Sequence, residues 1–140
     1  MKLVLVRNVP FKGTHLLKLV ESLELGKRVI FTGYLPDEEL VLLLQHATVF
    51  VFPSLYEGFG IPVLEAMAAG VPVVCSNAAS LPEVAVEAAL LFDPLAVDEL
   101  AVTIRRLIDD PNLRAELVRM GYKNVSRFSW ETTAEKTLQV

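Results

Sequence analysis

Five short apolar runs, separated by amphipathic stretches, constrain this chain more than any other feature of its sequence. They predict strands near residues 2–6, 28–32, 48–52, 72–75 and 89–92. None of them alternates polar with apolar residues. A strand with one wet face must alternate. A strand without alternation is covered on both faces, as in a parallel sheet lying between layers of helices. Helices are predicted between the runs and after them, near 14–25, 37–46, 62–69, 98–109, 112–127 and 130–139. Several helix ends carry their own signals. Asp37, Glu38 and Glu39 place negative charge in a first turn, and Gly70 follows a last one. Pro111 fits a first helical position with Asp110 as its cap, and Ser129 caps the last helix.

Composition sets the outer limits. At 140 residues a chain buries roughly two thirds of its unfolded surface, so residues 1–140 read as one domain that needs no covalent staple. The net charge is −4 and no basic cluster stands out, which excludes a nucleic-acid partner. Cys75 is the only cysteine. A disulfide framework is therefore excluded, and a reducing cytoplasm is the expected location. Cys75 reads as a small, semi-buried residue rather than a nucleophile. Nothing reads as a signal peptide, and no apolar run reaches the roughly 18 residues of an integral membrane segment. Yet 53% of the residues are hydrophobic and the mean hydropathy is +0.46. Part of that apolar surface is expected to face a partner domain or a second copy of the chain.

The chemistry is concentrated in Glu57-Gly58-Phe59-Gly60-Ile61-Pro62-Val63-Leu64-Glu65. The stretch follows the apolar run Val49–Phe52 and the turn residues Pro53-Ser54. Strand, loop and helix start in that order form the ligand edge of an open parallel sheet. Gly58 and Gly60 let the backbone approach a ligand, and Pro62 starts a helix because its missing N–H has no helical partner to lose. Unpaired N–H groups at a helix start attract anions, phosphate above all. Two carboxylates beside such a site repel phosphate, so their partners are hydroxyls. Phosphate plus sugar describes a nucleotide sugar. A glycine turn before a helix, with an acid in the first helical turn, is also ordinary α/β construction and good dipole chemistry.

These residues resemble a known family. Phe52 to Gly60, then Pro62, Glu65-Ala66-Met67-Ala68-Ala69-Gly70 and Pro72-Val73-Val74, are similar to the retaining family 4 glycosyltransferases, whose two-domain fold is called GT-B. The acidic pair Glu57 and Glu65, with seven residues between them, is that family's signature. Val29 to Pro36, Leu81-Pro82-Glu83-Val84, Ala88-Ala89-Leu90, Asp93-Pro94 and Phe128-Ser129-Trp130 extend the resemblance from about residue 27 to 140. It implies the C-terminal, donor-binding domain, with the N-terminal acceptor domain absent. It also implies roles. Glu57, the catalytic-site acid, hydrogen-bonds the donor sugar. The N–H groups of Gly58, Phe59 and Gly60 meet sugar and diphosphate. Glu65 binds the ribose, and Gly33, Tyr34 and Leu35 carry the base. On a hybrid reading of the first 26 residues Arg7 and Lys12 neutralise the leaving diphosphate, the alternative being ordinary solvated loop charges, and neither metal nor other cofactor is expected. Where relatives often have Gly-Asp after Pro-Glu-Val-Ala, this chain has Val86-Glu87, a departure confined to a turn.

The first 26 residues fit the family less simply. The family begins this domain with two βα units, and this chain has room for one. Arg7 to Leu17 looks like the first unit, while Met1–Val6 and Leu19–Gly26 look like the second. The segment is either a hybrid of both or the second alone. A Rossmann-like sheet of strand order 3-2-1-4-5-6 that lost its central strand would expose two inner edges. The favoured alternative puts residues 2–6 in the middle of a complete flavodoxin-like order, 2-1-3-4-5.

The resemblance therefore implies a domain from enzymes that transfer a hexose from a nucleotide-diphosphate sugar to an acceptor with retention. On its own the chain is expected to bind weakly and turn over poorly, because the acceptor side of the cleft lies elsewhere. The alternative is a non-catalytic flavodoxin-like scaffold with a relic site. The last helix carries Trp130, Ala134 and Leu138 in one stripe. It is expected either to fold back or to pair in a homodimer.

Overall fold

In a computed structural model, residues 1–6 and 15–139 are described. Arg7, Lys12 and the start expected for the first helix lie outside them. The chain forms two compact units, Met1–Leu42 and Leu43–Val140.

The first unit contains β1 (Leu3–Val6), α1 (His15–Ser22), β2 (Val29–Gly33) and the start of α2 (Asp37–Gln45). β1 and β2 are parallel, with Leu3 opposite Val29 and Leu5 opposite Phe31. The register then slips, so that Val6 faces Gly33 and Thr32 has no opposite number. The Thr32 hydroxyl lies 3.0 Å from the Gly33 carbonyl and 3.4 Å from the Leu5 carbonyl on β1, and donates to either. α1 ends earlier than its apolar pattern predicts. Glu24 takes a left-handed conformation, φ 53°, and the Leu25 and Glu24 N–H groups donate to the carbonyls of Val20 and Glu21. That is a Schellman ending, formed here by a glutamate although glycine usually fills the left-handed position. The expectation that every strand is covered on both faces fails in this unit. Leu3 is 52% and Ile30 40% exposed, because a two-stranded sheet has too few neighbours to enclose it.

The second unit contains β3 (Phe50–Phe52), α3 (Ile61–Ala68), β4 (Val73–Ser76), α4 (Leu81–Ala85), β5 (Ala89–Phe92), α5 (Val97–Asp109), α6 (Pro111–Val125) and α7 (Trp130–Leu138). Its strands are parallel in the order β3-β4-β5, with Phe50 opposite Val73 and Val73 opposite Ala89. Every residue of β4 is buried, as expected for a central strand between helical layers. Val74, Phe92, Leu107 and Leu117 form the core. α3 crosses α6 closely: a Cβ on Gly121 would lie 3.2 Å from Met67 Cγ. Buried Asn124 fastens α6 to α4. Its Nδ2 donates to the Val84 carbonyl at 2.8 Å, and its Oδ1 accepts from Arg127 Nη1 at 2.7 Å. Both polar ends are satisfied, as burial demands. Asp110 and Ser129 cap α6 and α7 as the sequence predicts, accepting from Leu113 N and Thr132 N.

All five predicted strands exist and pair as the flavodoxin-like order requires within each unit. They do so in two sheets, of two and three strands, rather than one continuous sheet. α4 was not predicted as a helix. α7 does not fold back: none of its residues is buried and Trp130 is 78% exposed. It has only one apolar residue per turn, too narrow a stripe to hold it on a core.

Candidate functional site

The carboxyl ends of β3 and β4 and the start of α3 converge on the loop 53–60. Pro53 cannot donate to a strand ladder, so β3 stops at Phe52. The chain then turns back to enter α3 through Gly60. This residue has φ 104° and ψ 40° and caps the helix without a side chain. It is buried, and a Cβ there would stand 2.5 Å from Leu81 Cδ2. Glycine is thus required twice, by the backbone angle and by the close approach of α4.

Three serines hold the loop from beneath. Ser76, wholly buried at the end of β4, donates its hydroxyl to the Ser54 carbonyl. The Ser54 hydroxyl lies 3.4 Å from Glu57 Oε2 and 3.3 Å from the Tyr56 carbonyl, and donates to either. Ser80, just before α4, has its hydroxyl 3.0 Å from the Glu57 carbonyl and 2.9 Å from that of Phe59. Phe59 also meets Phe128 edge to face, centroids 5.8 Å apart, and Arg127 stacks over the Phe128 ring. The N–H groups of Gly58, Phe59 and Gly60 donate to no acceptor among the described residues.

Gly58 differs from Gly60. Its φ is not positive and a Cβ there would meet nothing within 4 Å. Among the described residues, neither the backbone nor the packing requires glycine at this position.

Glu57 is half-buried at the mouth of the loop and Glu65 is exposed on α3. α3 begins at Ile61, one residue before Pro62, so Glu65 is its fifth residue and its first turn holds no acid. The expected first-turn placement is corrected accordingly. The dipole explanation for Glu65 weakens with it, since that effect fades beyond the first turn. The second unit thus carries Glu57, Gly58, Phe59 and Gly60 on the loop and Glu65 on the helix that the loop enters. Gly33 ends β2 in the first unit, with φ 72°, and Tyr34, which is exposed, and Leu35 follow it. Cys75 is fully buried, and desolvation pushes its thiol up to about 12, so it is no nucleophile at neutral pH. Ser54 and Leu81 lie inside the stretches that carry the family resemblance, but the sequence gives neither a supporting role, and Ser76 and Ser80 stand outside those stretches. The signal for Ser80 is its place directly before the Leu81-Pro82-Glu83-Val84 match.

With this loop and helix in place, the chain belongs to the glycosyl transferases group 1, whose family model matches residues 12–124. Among curated relatives, O-antigen chain mannosyltransferase B of Escherichia coli is 44% identical over 123 residues, which cover 86% of this chain. The match covers 32% of that relative, so the chain spans about a third of its length. Among solved structures, sucrose-phosphate synthase from Thermosynechococcus elongatus superposes with a TM-score of 0.88 at 33% identity, over 99% of this chain and 37% of that one. Anabaena HepE, solved with UDP and glucose, matches with a TM-score of 0.85 at 25% identity, over 99% of this chain and 39% of its own. Among the described residues, no helix is long and apolar enough to cross a membrane.

Proposed function

We propose that the loop Glu57–Gly60 and the start of α3 bind the sugar and diphosphate of a nucleotide-diphosphate sugar. Glu57 takes hydroxyls of the sugar and Glu65 those of the ribose. Gly33, Tyr34 and Leu35 carry the base, and Arg7 with Lys12 neutralise the leaving diphosphate in place of a metal. The observation that carries this reading is Gly58. Nothing in the backbone or packing of the described residues calls for glycine there, and the amides beside it donate to nothing described. A backbone kept bare in this way suits a ligand laid directly against it. HepE, solved with UDP and glucose, supports a nucleotide sugar as that ligand. The mannosyltransferase relative makes a mannosyl donor the first to try.

The reaction is transfer of a hexose with retention. The loop amides and the α3 dipole hold charge as it develops on the departing diphosphate, while the acceptor hydroxyl attacks the same face of the sugar. Acceptor positioning belongs to the remainder of the enzyme, so the 140-residue chain binds donor but turns over poorly. A cytoplasmic location follows the same reading, with Cys75 reduced.

Calorimetric titration with GDP-mannose, GDP-glucose, UDP-glucose and ADP-glucose, with and without EDTA, tests the assignment. Saturable binding of at least one donor with a Kd below about 1 mM, unchanged by EDTA, is expected. Absence of binding to all four would leave a non-catalytic α/β module. Partner contact through α7 is a separate part of the proposal. Trp130 and Leu138 are 78% and 87% exposed, which favours pairing with a second copy of the chain. Light scattering over about a hundredfold dilution should show the mass falling from dimer to monomer. A constant monomer mass would remove the homodimer.

A further inference from the structure

We propose that Ser80 is a positioning residue for the donor site, its hydroxyl orienting two peptide units so that the amides of Gly58 and Gly60 face the ligand. The inference rests on the donor-site reading above. The Ser80 hydroxyl contacts two carbonyls, of Glu57 at 3.0 Å and Phe59 at 2.9 Å. It has one proton, which alternates between them. Each of those carbonyls shares a planar peptide with the next residue's N–H. No peptide bond among the described residues is cis. In a trans peptide the C=O and N–H point in opposite directions. Drawing the Glu57 and Phe59 carbonyls toward Ser80 therefore turns the Gly58 and Gly60 N–H groups away from it, both to the same side. One hydroxyl thereby sets two donors that glycine's loose backbone would otherwise leave free to rotate.

The anchor is itself fixed. The Ser80 carbonyl accepts from Glu83 N and Val84 N, starting α4. Leu81 is fully buried beneath Gly60. The far end of α4 is tied to α6 by Asn124 at the Val84 carbonyl. Serine is among the preferred helix caps, yet this one makes no side-chain cap bond. Its hydroxyl is committed to the loop instead. Replacing it by alanine therefore removes no cap from α4.

Ser80→Ala and Ser80→Thr, compared with the parent chain, test the inference by three readings: Kd for GDP-mannose and UDP-glucose, melting temperature, and the amide signals and hydrogen exchange of Gly58 and Gly60. Ser80→Ala should bind about tenfold more weakly, a difference of about 1.4 kcal/mol. It should shift the two glycine amides and speed their exchange, with melting nearly unchanged. Ser80→Thr, which keeps the hydroxyl, should stay near the parent. Parental affinity and unmoved glycine signals in Ser80→Ala would overturn the proposal. Equal loss in Ser80→Thr at an unchanged melting temperature would assign the effect to packing and overturn it also. If the parent binds neither donor, the donor-site reading fails separately, and the glycine amides alone decide: unmoved signals exclude Ser80 from orienting the loop.

Discussion

Gly60 and Leu81 meet beneath the loop that closes β3 onto α3, with the place a Cβ would occupy on residue 60 lying 2.5 Å from Leu81 Cδ2. Gly60→Ala therefore meets two penalties. A φ of 104° is strained by about 1–3 kcal/mol for any other residue. Leu81, fully buried, must also move. A loss of about 2–4 kcal/mol in urea unfolding is expected. Leu81→Ala alone should cost about 2–5 kcal/mol. The double variant should lose less than the sum, because the contact is relieved only when both change. Strict additivity would mean that the two residues do not press on each other.

Val86 sits at φ 50° and ψ −125° in the turn between α4 and β5, a conformation foreign to a β-branched side chain. It is 47% exposed, so little burial is at stake. Glycine relieves about 1–3 kcal/mol of strain and returns up to about 1 kcal/mol of it as chain entropy. Val86→Gly should raise the melting temperature, by about 0.5–2 kcal/mol of added stability. A lower melting temperature would show that the valine is not strained there. From sequence this position reads as a departure from the family confined to a turn. The backbone angle shows that the departure carries strain.

What the sequence made legible was whatever depends on local pattern. The strands announced themselves as unalternating apolar runs. Asp110 and Ser129 were readable as caps because capping is a bond to an N–H two or three residues on. α4 escaped because five residues with a proline among them, Leu81–Ala85, show no helical period. α1 was predicted too long because nothing in Glu24 announces a left-handed ending. Of the site, the acids and glycines were visible, since family spacing carries them. The serines beneath were not, because Ser80 reaches loop carbonyls more than twenty residues upstream, a distance no local rule spans. Arg7 and Lys12 lie outside the described residues.

Cys75 gives a pH test of the buried sheet. Burial pushes its thiol up to about 12, against about 8.5 for a free cysteine. The folded chain keeps the proton where the unfolded chain releases it. The contribution is therefore complete below about pH 8.5 and lost as pH rises toward 12. Between about pH 8 and pH 10 the parent should lose about 2 kcal/mol more than Cys75→Ala does over the same range. Parallel losses in the two chains would mean that Cys75 is not held protonated by the fold.

The most direct test of the donor site is the affinity of Glu65→Ala for whichever of GDP-mannose or UDP-glucose the parent binds more tightly, measured by calorimetry beside its melting temperature. Glu65 is exposed on α3, so the fold does not depend on it. A lost charged hydrogen bond to the ribose should weaken binding by about 1–3 kcal/mol, roughly 5- to 150-fold. The melting temperature should stay where it was. Equal affinity in parent and variant, or no binding by the parent at millimolar donor, would contradict the assignment.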